Sequence, residues 1–283
     1  MKRKYKVIIG LCILLLLVVC FLNCKYEVVA FHSFSGSDEY DIRVMTWNVH
    51  CPEGADNERQ ESIAELILKE NADVVQLNEF CLDKCQILDS LLNLHYSYKM
   101  DVGARGQAGD IFYSKKTVLE SEKVNGIYNS YYAKIYTEGC SLYIIGCHLN
   151  SNNHDGRIGV DNADSVPKVK TFCKYYLNAQ KKRCESVSVL IKVIKENPLP
   201  MIVMGDMNDF NHSAPMDSLK DVGMKNAWWE GGFGYGATYH EGWLRLRIDH
   251  IYYNDKLKLK DVKVVDTDLS DHNPVVAGFG LSE

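Results

Sequence analysis

The sequence predicts an α/β domain in which helices lie outside layered β-sheets. Apolar, β-branched segments alternate with segments of helical periodicity along most of the chain. In the middle third, strand-like segments follow one another without helices between them. That succession favours a mixed sheet, or two packed sheets, over a strictly doubly wound parallel one. Neither an internal repeat nor a second linker breaks the pattern, so one domain over about residues 41–283 is expected.

The first element is "MKRKYKVIIGLCILLLLVVCFLNCK", a basic start followed by an uncharged apolar run from Val7 to Leu22. At 1.5 Å per residue a helix over this run spans roughly 24 Å, close to a hydrocarbon core of ~30 Å. With the basic flank in front, the positive-inside rule puts the rest of the chain beyond the membrane. Residues 1–24 are therefore expected to be a signal anchor with its transmembrane helix at 7–22, joined by a polar spacer over 25–40 to the folded body. Two alternatives stay open. Val28–Ala30 has the small residues of a signal-peptide cleavage site, and Cys24 or Cys20 is a lipoprotein acylation candidate. All three export the body to a periplasmic or extracellular location.

"IRVMTWNV" then reads as a strand, and "NERQESIAELILKENA" as a helix with Ile63, Leu66, Ile67 and Glu70 at helical spacing. The strand "DVVQLNEF" and the helix "CQILDSLLNL" follow. "DIFYSK", "YYAKIYT" and "SLYIIGCHL" are successive strands, with Gly139 marking the turn before the last. "NSNNHDGRIGVDNADSVPK" has no apolar period and is expected to be an exposed loop. Val169 to Glu196 is amphipathic and helical, stopped by Pro198. "MIVMGD", "RIDHIYY" and "LKDVKVV" complete the strands.

Composition narrows the function only a little. The chain is 46% apolar and 24% charged, as a packed globular body requires. Its net charge is −5, and Lys2, Arg3, Lys4 and Lys6 all precede the apolar run. The acidic remainder argues against nucleic-acid binding through a broad basic face, although a bound divalent cation can supply positive charge locally. Of ten cysteines, Cys12, Cys20 and Cys24 lie in the anchor region, and the other seven are irregularly spaced. Mostly free thiols are expected, and no zinc motif occurs.

The informative residues are polar ones at strand ends. Asn48 closes "TWNV", Glu79 closes "QLNEF", and His148 and Asn150 end "CHLN". Asp206 and Asn208 end "MGDMN", Arg247 and Asp249 open "RIDHIYY", and Asp271 and His272 precede "NPVV". A turn explains any one of these alone. Turns need no histidines, however, and need no carboxylate in each of "NEF", "GDMN", "RIDH" and "SDHN", whereas a layered sheet brings strand ends to one edge. Carboxylate and amide oxygens without clustered cysteines suit a hard cation, Mg²⁺ or Mn²⁺. A histidine with an acidic partner can stabilise developing phosphate charge, and an aspartate can activate water. Together they are the parts of a metal-assisted phosphoester hydrolase.

The blocks "TWNV", "QLNEF", "CHL", "GDMND", "RIDHIYY" and "SDHNPV", in this order, resemble the endonuclease/exonuclease/phosphatase superfamily from about Ile42 to Gly278. The resemblance implies a four-layer αββα sandwich of two mixed sheets with outer helices. It assigns Asn48, Glu79 and Asp271 to a metal site and Asp206 to activation of the water, with Asn208 stabilising phosphoryl oxygens. It places His272, oriented by Asp249, on the scissile phosphate, and His148 on phosphate or leaving group. Two departures stand out: Asn78 precedes Glu79 where relatives carry glutamine, and Asp110 stands where many carry an apolar residue. The implied activity is a Mg²⁺-dependent phosphodiesterase or nuclease, probed against nucleic acid, lipid headgroup or small phosphate substrates. A sugar, inositol or lipid-headgroup phosphatase is the alternative, and a non-catalytic binding domain a third reading. The body is expected to be monomeric. Substrate choice belongs to loops, above all residues 150–168 and the aromatic stretch 228–247.

Overall fold

The computed structural model describes residues 13–23, 25, 27–32, 39–50, 56–103, 109–127, 129–151 and 166–282. Along the chain run β1 (Ala30–Phe31), β2 (Ile42–Asn48), α1 (Asn57–Glu70), β3 (Val74–Phe80) and α2 (Gln86–Asn93). Five strands then follow: β4 (Tyr98–Asp101), β5 (Gly109–Ser114), β6 (Thr117–Lys123), β7 (Tyr131–Thr137) and β8 (Cys140–His148) lead to α3 (Val166–Glu196). The last third holds β9 (Met201–Asp206), α4 (Ala214–Lys220), β10 (Lys225–Asn226), α5 (Ala227–Gly231) and β11 (Phe233–Gly234). It ends with β12 (Tyr239–Glu241), β13 (Leu244–Leu246), β14 (Asp249–Tyr253), β15 (Leu257–Val264) and β16 (Val275–Leu281).

Two six-stranded mixed sheets result, ordered β10-β14-β9-β8-β7-β6 and β15-β16-β2-β3-β5-β4. Each has one central parallel pair, β8–β9 or β2–β3, flanked by antiparallel strands. A parallel pair needs a crossover, and α3 and α1 supply the two crossovers. The predicted αββα sandwich is thus the observed fold. Strand alternation explains its layers. Ile42 and Val44 of β2 face the second sheet, together with Ile202 and Met204 of β9. Met45 and Trp47 turn the other way, onto Ile63 and Ile67 of α1. Met201 and Val203 pack with Val187 and Leu190 of α3. "MIVM" is apolar throughout because both faces of its strand are buried.

Local signals set the ends of elements. Asp56 caps α1 by accepting from the Arg59 backbone N–H at 2.7 Å, and Asn71 ends it in the left-handed region. Glu70, the polar member of the predicted stripe, is buried and salt-bridged to Arg43 at 3.6 Å and Lys263 at 2.6 Å. Sequence periodicity missed β4, β6 and the β12–β13 hairpin, whose side chains are mostly half-buried or exposed and so carry no clean apolar pattern.

The N-terminal region differs from a plain anchor and spacer. Residues 13–23 are helical, and their apolar side chains are exposed. Among the described residues no helix is long and apolar enough to cross a membrane, and residues 1–12 of the predicted 7–22 span's region lie outside them. Part of the predicted spacer joins the body: β1 pairs antiparallel with β11. Most of the loop 150–168 also falls outside the described residues. Cys20, Cys81, Cys140, Cys147, Cys173 and Cys184 are free thiols, whereas Cys85 is disulfide-bonded.

Two substitutions test how the strand ends are held. Gly205 has φ 144°, and a Cβ there would lie 1.8 Å from the Cys147 carbonyl oxygen on the neighbouring strand. Gly205→Ala is expected to cost about 3 kcal/mol in denaturant unfolding, from overpacking and backbone strain. Arg183, fully buried, lies 2.9 Å from Asp209 and donates to the Asn150 carbonyl at 2.9 Å. It thereby ties the loops after β8 and β9 together. Arg183→Met leaves a buried carboxylate uncompensated and should cost about 3–5 kcal/mol in the same assay.

Candidate active site

Parallel strands deliver their C-terminal ends to one edge, and their antiparallel neighbours bring N-terminal ends to the same edge. Asn48 is the last residue of β2, His148 of β8 and Asp206 of β9, and Glu79 is the penultimate residue of β3. Asp249 opens β14, opposite Asp206 in the ladder, and Asp271 and His272 lie just ahead of β16. Pairing of His148 with Asp206 and of Asn48 with Asn78 sets the two parallel ends level within each sheet.

At the centre is Asp206, almost completely buried. Its Oδ1 accepts from the backbone N–H of Asn208 at 2.8 Å, and its Oδ2 from the Asn48 side-chain amide at 3.1 Å. The same amide donates to Glu79 Oε1 at 2.9 Å. Glu79 and Asn208 both have positive φ, 52° and 50°, so each sits where the chain bends sharply off its strand. The Asn208 side chain donates to the Leu149 carbonyl at 3.0 Å, which braces this loop against the end of β8.

Two histidines flank Asp206. His272 Nε2 is 3.9 Å from Asp206 Oδ2, and its Nδ1 donates to Asp249 at 2.8 Å. Burial disfavours a charged His272, but Asp249, with Asp206 and Asp271, overrides it and holds the imidazole well above its ordinary value. Asp249 is pushed up by burial, an effect tempered by the His272 charge. Thr238 fixes the start of β14 by accepting from the Ile248 and Asp249 backbone N–H groups at 3.0 Å. Tyr239 stacks edge-on against the His272 ring with centroids 5.0 Å apart.

His148 Nε2 lies 3.7 Å from Asp206 and 3.8 Å from Glu79, while its Nδ1 faces Asp110 at 3.6 Å. Burial pulls its pKa down, yet Asp110, Asp206 and Glu79 outweigh it and raise the pKa to about 9. Asp110 is itself fully buried, and burial raises its pKa against the opposing effect of His148. The Asn78 side chain donates to Asp110 Oδ2 at 2.7 Å, leaving Oδ1 directed at His148. The site therefore holds two histidine–carboxylate pairs facing one aspartate.

The predicted metal set is only partly assembled. Asn48 and Glu79 touch, but Asp271 turns to His50, whose Nδ1 is 3.2 Å away. Burial opposes ionisation of Asp271, and His50, His272 and Ser270 outweigh it, so its pKa falls below the ordinary carboxylate range. Among the described residues, two sets bring three ligand atoms within 4.8 Å of one another: Glu79, His148 and Asp206, and Asp206, Asp249 and His272. The second set is closed and buried, whereas the Glu79 side chain in the first is 30% exposed and opens to solvent. Carboxylates and an amide, with two carboxylates drawn to a single amide donor, fit a hard divalent cation beside Glu79. Asn48 offers that cation an oxygen only by turning its amide over, since its Oδ1 now accepts from the His50 N–H at 3.1 Å.

Sequence reasoning placed Tyr239 only within the aromatic stretch 228–247, and missed His50 and the part played by Asp110. An aspartate within the apolar strand "DIFYS" was the available signal for Asp110, since a buried carboxylate needs a partner. Asp209 supports the loop rather than acting as a second Asp206: it is held by Arg183 and by Gln180 at 2.8 Å, and its carbonyl accepts from His250 at 2.9 Å.

Comparison with known proteins bears on family and fold. The profile of the Endonuclease/Exonuclease/phosphatase family matches residues 45–272. A UPF0294 protein of Vibrio campbellii is 27% identical over 126 residues, which cover 44% of this chain and 43% of that protein. The match thus spans less than half the length of that curated relative. Among solved structures, D. rerio TDP2 complexed with a single-strand DNA product superposes with a TM-score of 0.64 at 18% identity, covering 84% of this chain and 98% of that one. The Bacteroides thetaiotaomicron mannosyl-6-phosphatase Bt3783 gives 0.64 at 19% identity, covering 84% and 99%. At these identities the structural likeness is one of fold.

Proposed function

The chain belongs to the endonuclease/exonuclease/phosphatase family, and from that premise we propose that it is an exported, membrane-attached phosphoester hydrolase of the phosphodiesterase or nuclease type. The observation that carries the reading is the convergence of His148 and His272 on Asp206, at 3.7 and 3.9 Å, beside the open carboxylate of Glu79. Export is supported by the basic start before the apolar run and by the Cys85 disulfide, a linkage that persists in oxidising compartments. The TDP2 structure holds single-strand DNA and Bt3783 is a mannosyl phosphatase, so both ester classes belong in a substrate screen.

The residues divide the chemistry as follows. Asp206, oriented by the Asn208 N–H and the Asn48 amide, accepts a hydrogen bond from the attacking water and takes its proton. His272, kept protonated by Asp249, presents positive charge to a phosphoryl oxygen. His148, kept protonated over Asp110, donates to the leaving oxygen from the other side of Asp206. Glu79 and Asn48, with Asp271 reached by release from His50, would hold Mg²⁺ or Mn²⁺. When bound, the cation supplies Lewis-acid stabilisation of phosphoryl charge. The site thereby offsets its own excess of carboxylates with two imidazolium groups and a cation.

The test is a Mg²⁺-supplemented activity screen of the full-length chain over DNA, RNA, sphingomyelin and inositol phosphates. Turnover of one substrate class should vanish with EDTA, return with Mg²⁺ and fall about 10²–10⁴-fold in Asp206→Asn. Full activity in Asp206→Asn would remove the assignment. Asp110→Asn keeps the Asn78 hydrogen bond but removes the charge that holds His148. It should leave the melting temperature nearly unchanged and lower kcat about 10–100-fold, as loss of an orienting partner does.

A further inference from the structure

We propose that Val28, Phe31, Phe210, Phe233 and Trp243 form a bilayer-contact face that seats the catalytic edge at a lipid–water interface. The inference rests on the membrane-attached reading above and extends it to the orientation of the body. Beyond Leu22, the described residues expose nine large apolar side chains, and these five lie on segments that are tied to one another or run into the site. Phe31 and Phe233 are 71% and 70% exposed and are Cα partners in the β1–β11 ladder. Directly opposed residues share a face, so both side chains leave the ladder on the same side, into solvent. Soluble surfaces rarely leave adjoining aromatic groups bare without a partner.

This face is built rather than loosely draped. Arg247, 5% exposed, donates to the carbonyls of Glu27 at 2.6 Å, Val28 at 3.4 Å and Tyr235 at 2.8 Å. The Glu27 carboxylate accepts from Lys220 at 2.9 Å and from the side chain of Asn211, the neighbour of Phe210. One guanidinium and one carboxylate therefore bind residues 27–31, the end of the catalytic loop and the aromatic stretch into one surface. Trp243, 73% exposed, tips the β12–β13 hairpin, at whose base Tyr239 stacks on His272. Phe210 follows directly on the Asp206–Asp209 loop. Phe210 and Trp243 thus sit on segments that run directly into the site.

Continuity with the apolar helix identifies the occupant. The Asn23 side chain donates to the Val29 carbonyl at 2.9 Å and accepts from the Val29 N–H at 2.7 Å. The docked segment therefore begins one residue after Leu22, and the apolar side chains of residues 13–22 are themselves exposed. Whatever covers that helix lies next to Val28 and Phe31. A bilayer accommodates an apolar helix and a plane of Phe and Trp side chains together, and the leading Lys2, Arg3, Lys4 and Lys6 suit its charged headgroups. The substrate class that follows is a phosphoester displayed at a membrane surface, such as a lipid headgroup, rather than a long free nucleic acid.

Leu119 provides the control. It is 53% exposed on β6, at the opposite edge of the sheet from β10, five strand spacings or roughly 24 Å away. Full-length chain carrying Phe233→Trp, and separately Leu119→Trp, is reconstituted in phosphatidylcholine vesicles with and without brominated acyl chains. The emission added by Phe233→Trp should drop at least twofold in brominated vesicles, while that added by Leu119→Trp stays unchanged. Equal behaviour of the two variants in protein that floats with the vesicles overturns the contact face and leaves attachment standing. Protein that does not float overturns attachment and the face together. Unquenched Phe233→Trp in a chain that sediments as a dimer overturns the bilayer as occupant in favour of a second copy. The readout needs no turnover, so a failed activity screen leaves it intact.

Discussion

The side chain of Asn78, fully buried between the sheets, is the joint on which the site depends. Its amide nitrogen donates to Asp110 at 2.7 Å, and its amide oxygen accepts from the Asp206 backbone N–H at 3.1 Å. One residue on β3 thus links β5 of its own sheet to β9 of the other. Apolar packing between sheets is tolerant of small slides, whereas a hydrogen bond lost in the interior costs the full desolvation of its groups. This polar tie fixes how the end of one parallel pair faces the end of the other. Asp206 and His148 from one sheet, and Glu79 and Asn48 from the other, depend on that registration.

Charge is managed around the joint by pairing rather than by exposure. Asp249 holds His272, Asp110 holds His148, and Arg183 holds Asp209, and each pair is largely shielded from water. Buried pairs of this kind contribute little net stability compared with apolar packing, and losing one partner is expensive. Under the proposed function the two histidine pairs serve the chemistry, since each keeps an imidazolium beside Asp206. The Arg183–Asp209 pair is explained by support: it braces the loops that carry Asn150 and Asn208 without reaching into the opening.

Much of this was legible in the sequence, for physical reasons that differ by residue. The strand ends were readable because a strand buried on both faces is continuously apolar, so its last polar residue stands out. Asp206 and Asn208 emerged from "GDMND" by their order after such a run. Asp110 was visible but uninterpretable, because its partners Asn78 and His148 come from positions 32 and 38 residues away in the chain. The turning of Asp271 to His50 was hidden for a similar reason, as "NVH" carries no sign of which carboxylate its histidine meets. The docking of residues 27–31 was masked by their polar, spacer-like context, since the partner that holds them is Arg247, about 220 residues downstream.

The sequence by itself determined the layered α/β body, the strand ends and the kinds of group placed there. These are local properties: alternation, helical period and the break from apolar to polar at a strand terminus are written in neighbouring residues. Tertiary structure alone decided which carboxylate serves which histidine, how far Glu79 opens to solvent and where the N-terminal segment lies. Those outcomes come from the pairing of two sheets, whose contacting residues are distant in the chain, and from burial, which sets the charge state of a group only after its neighbours have arrived.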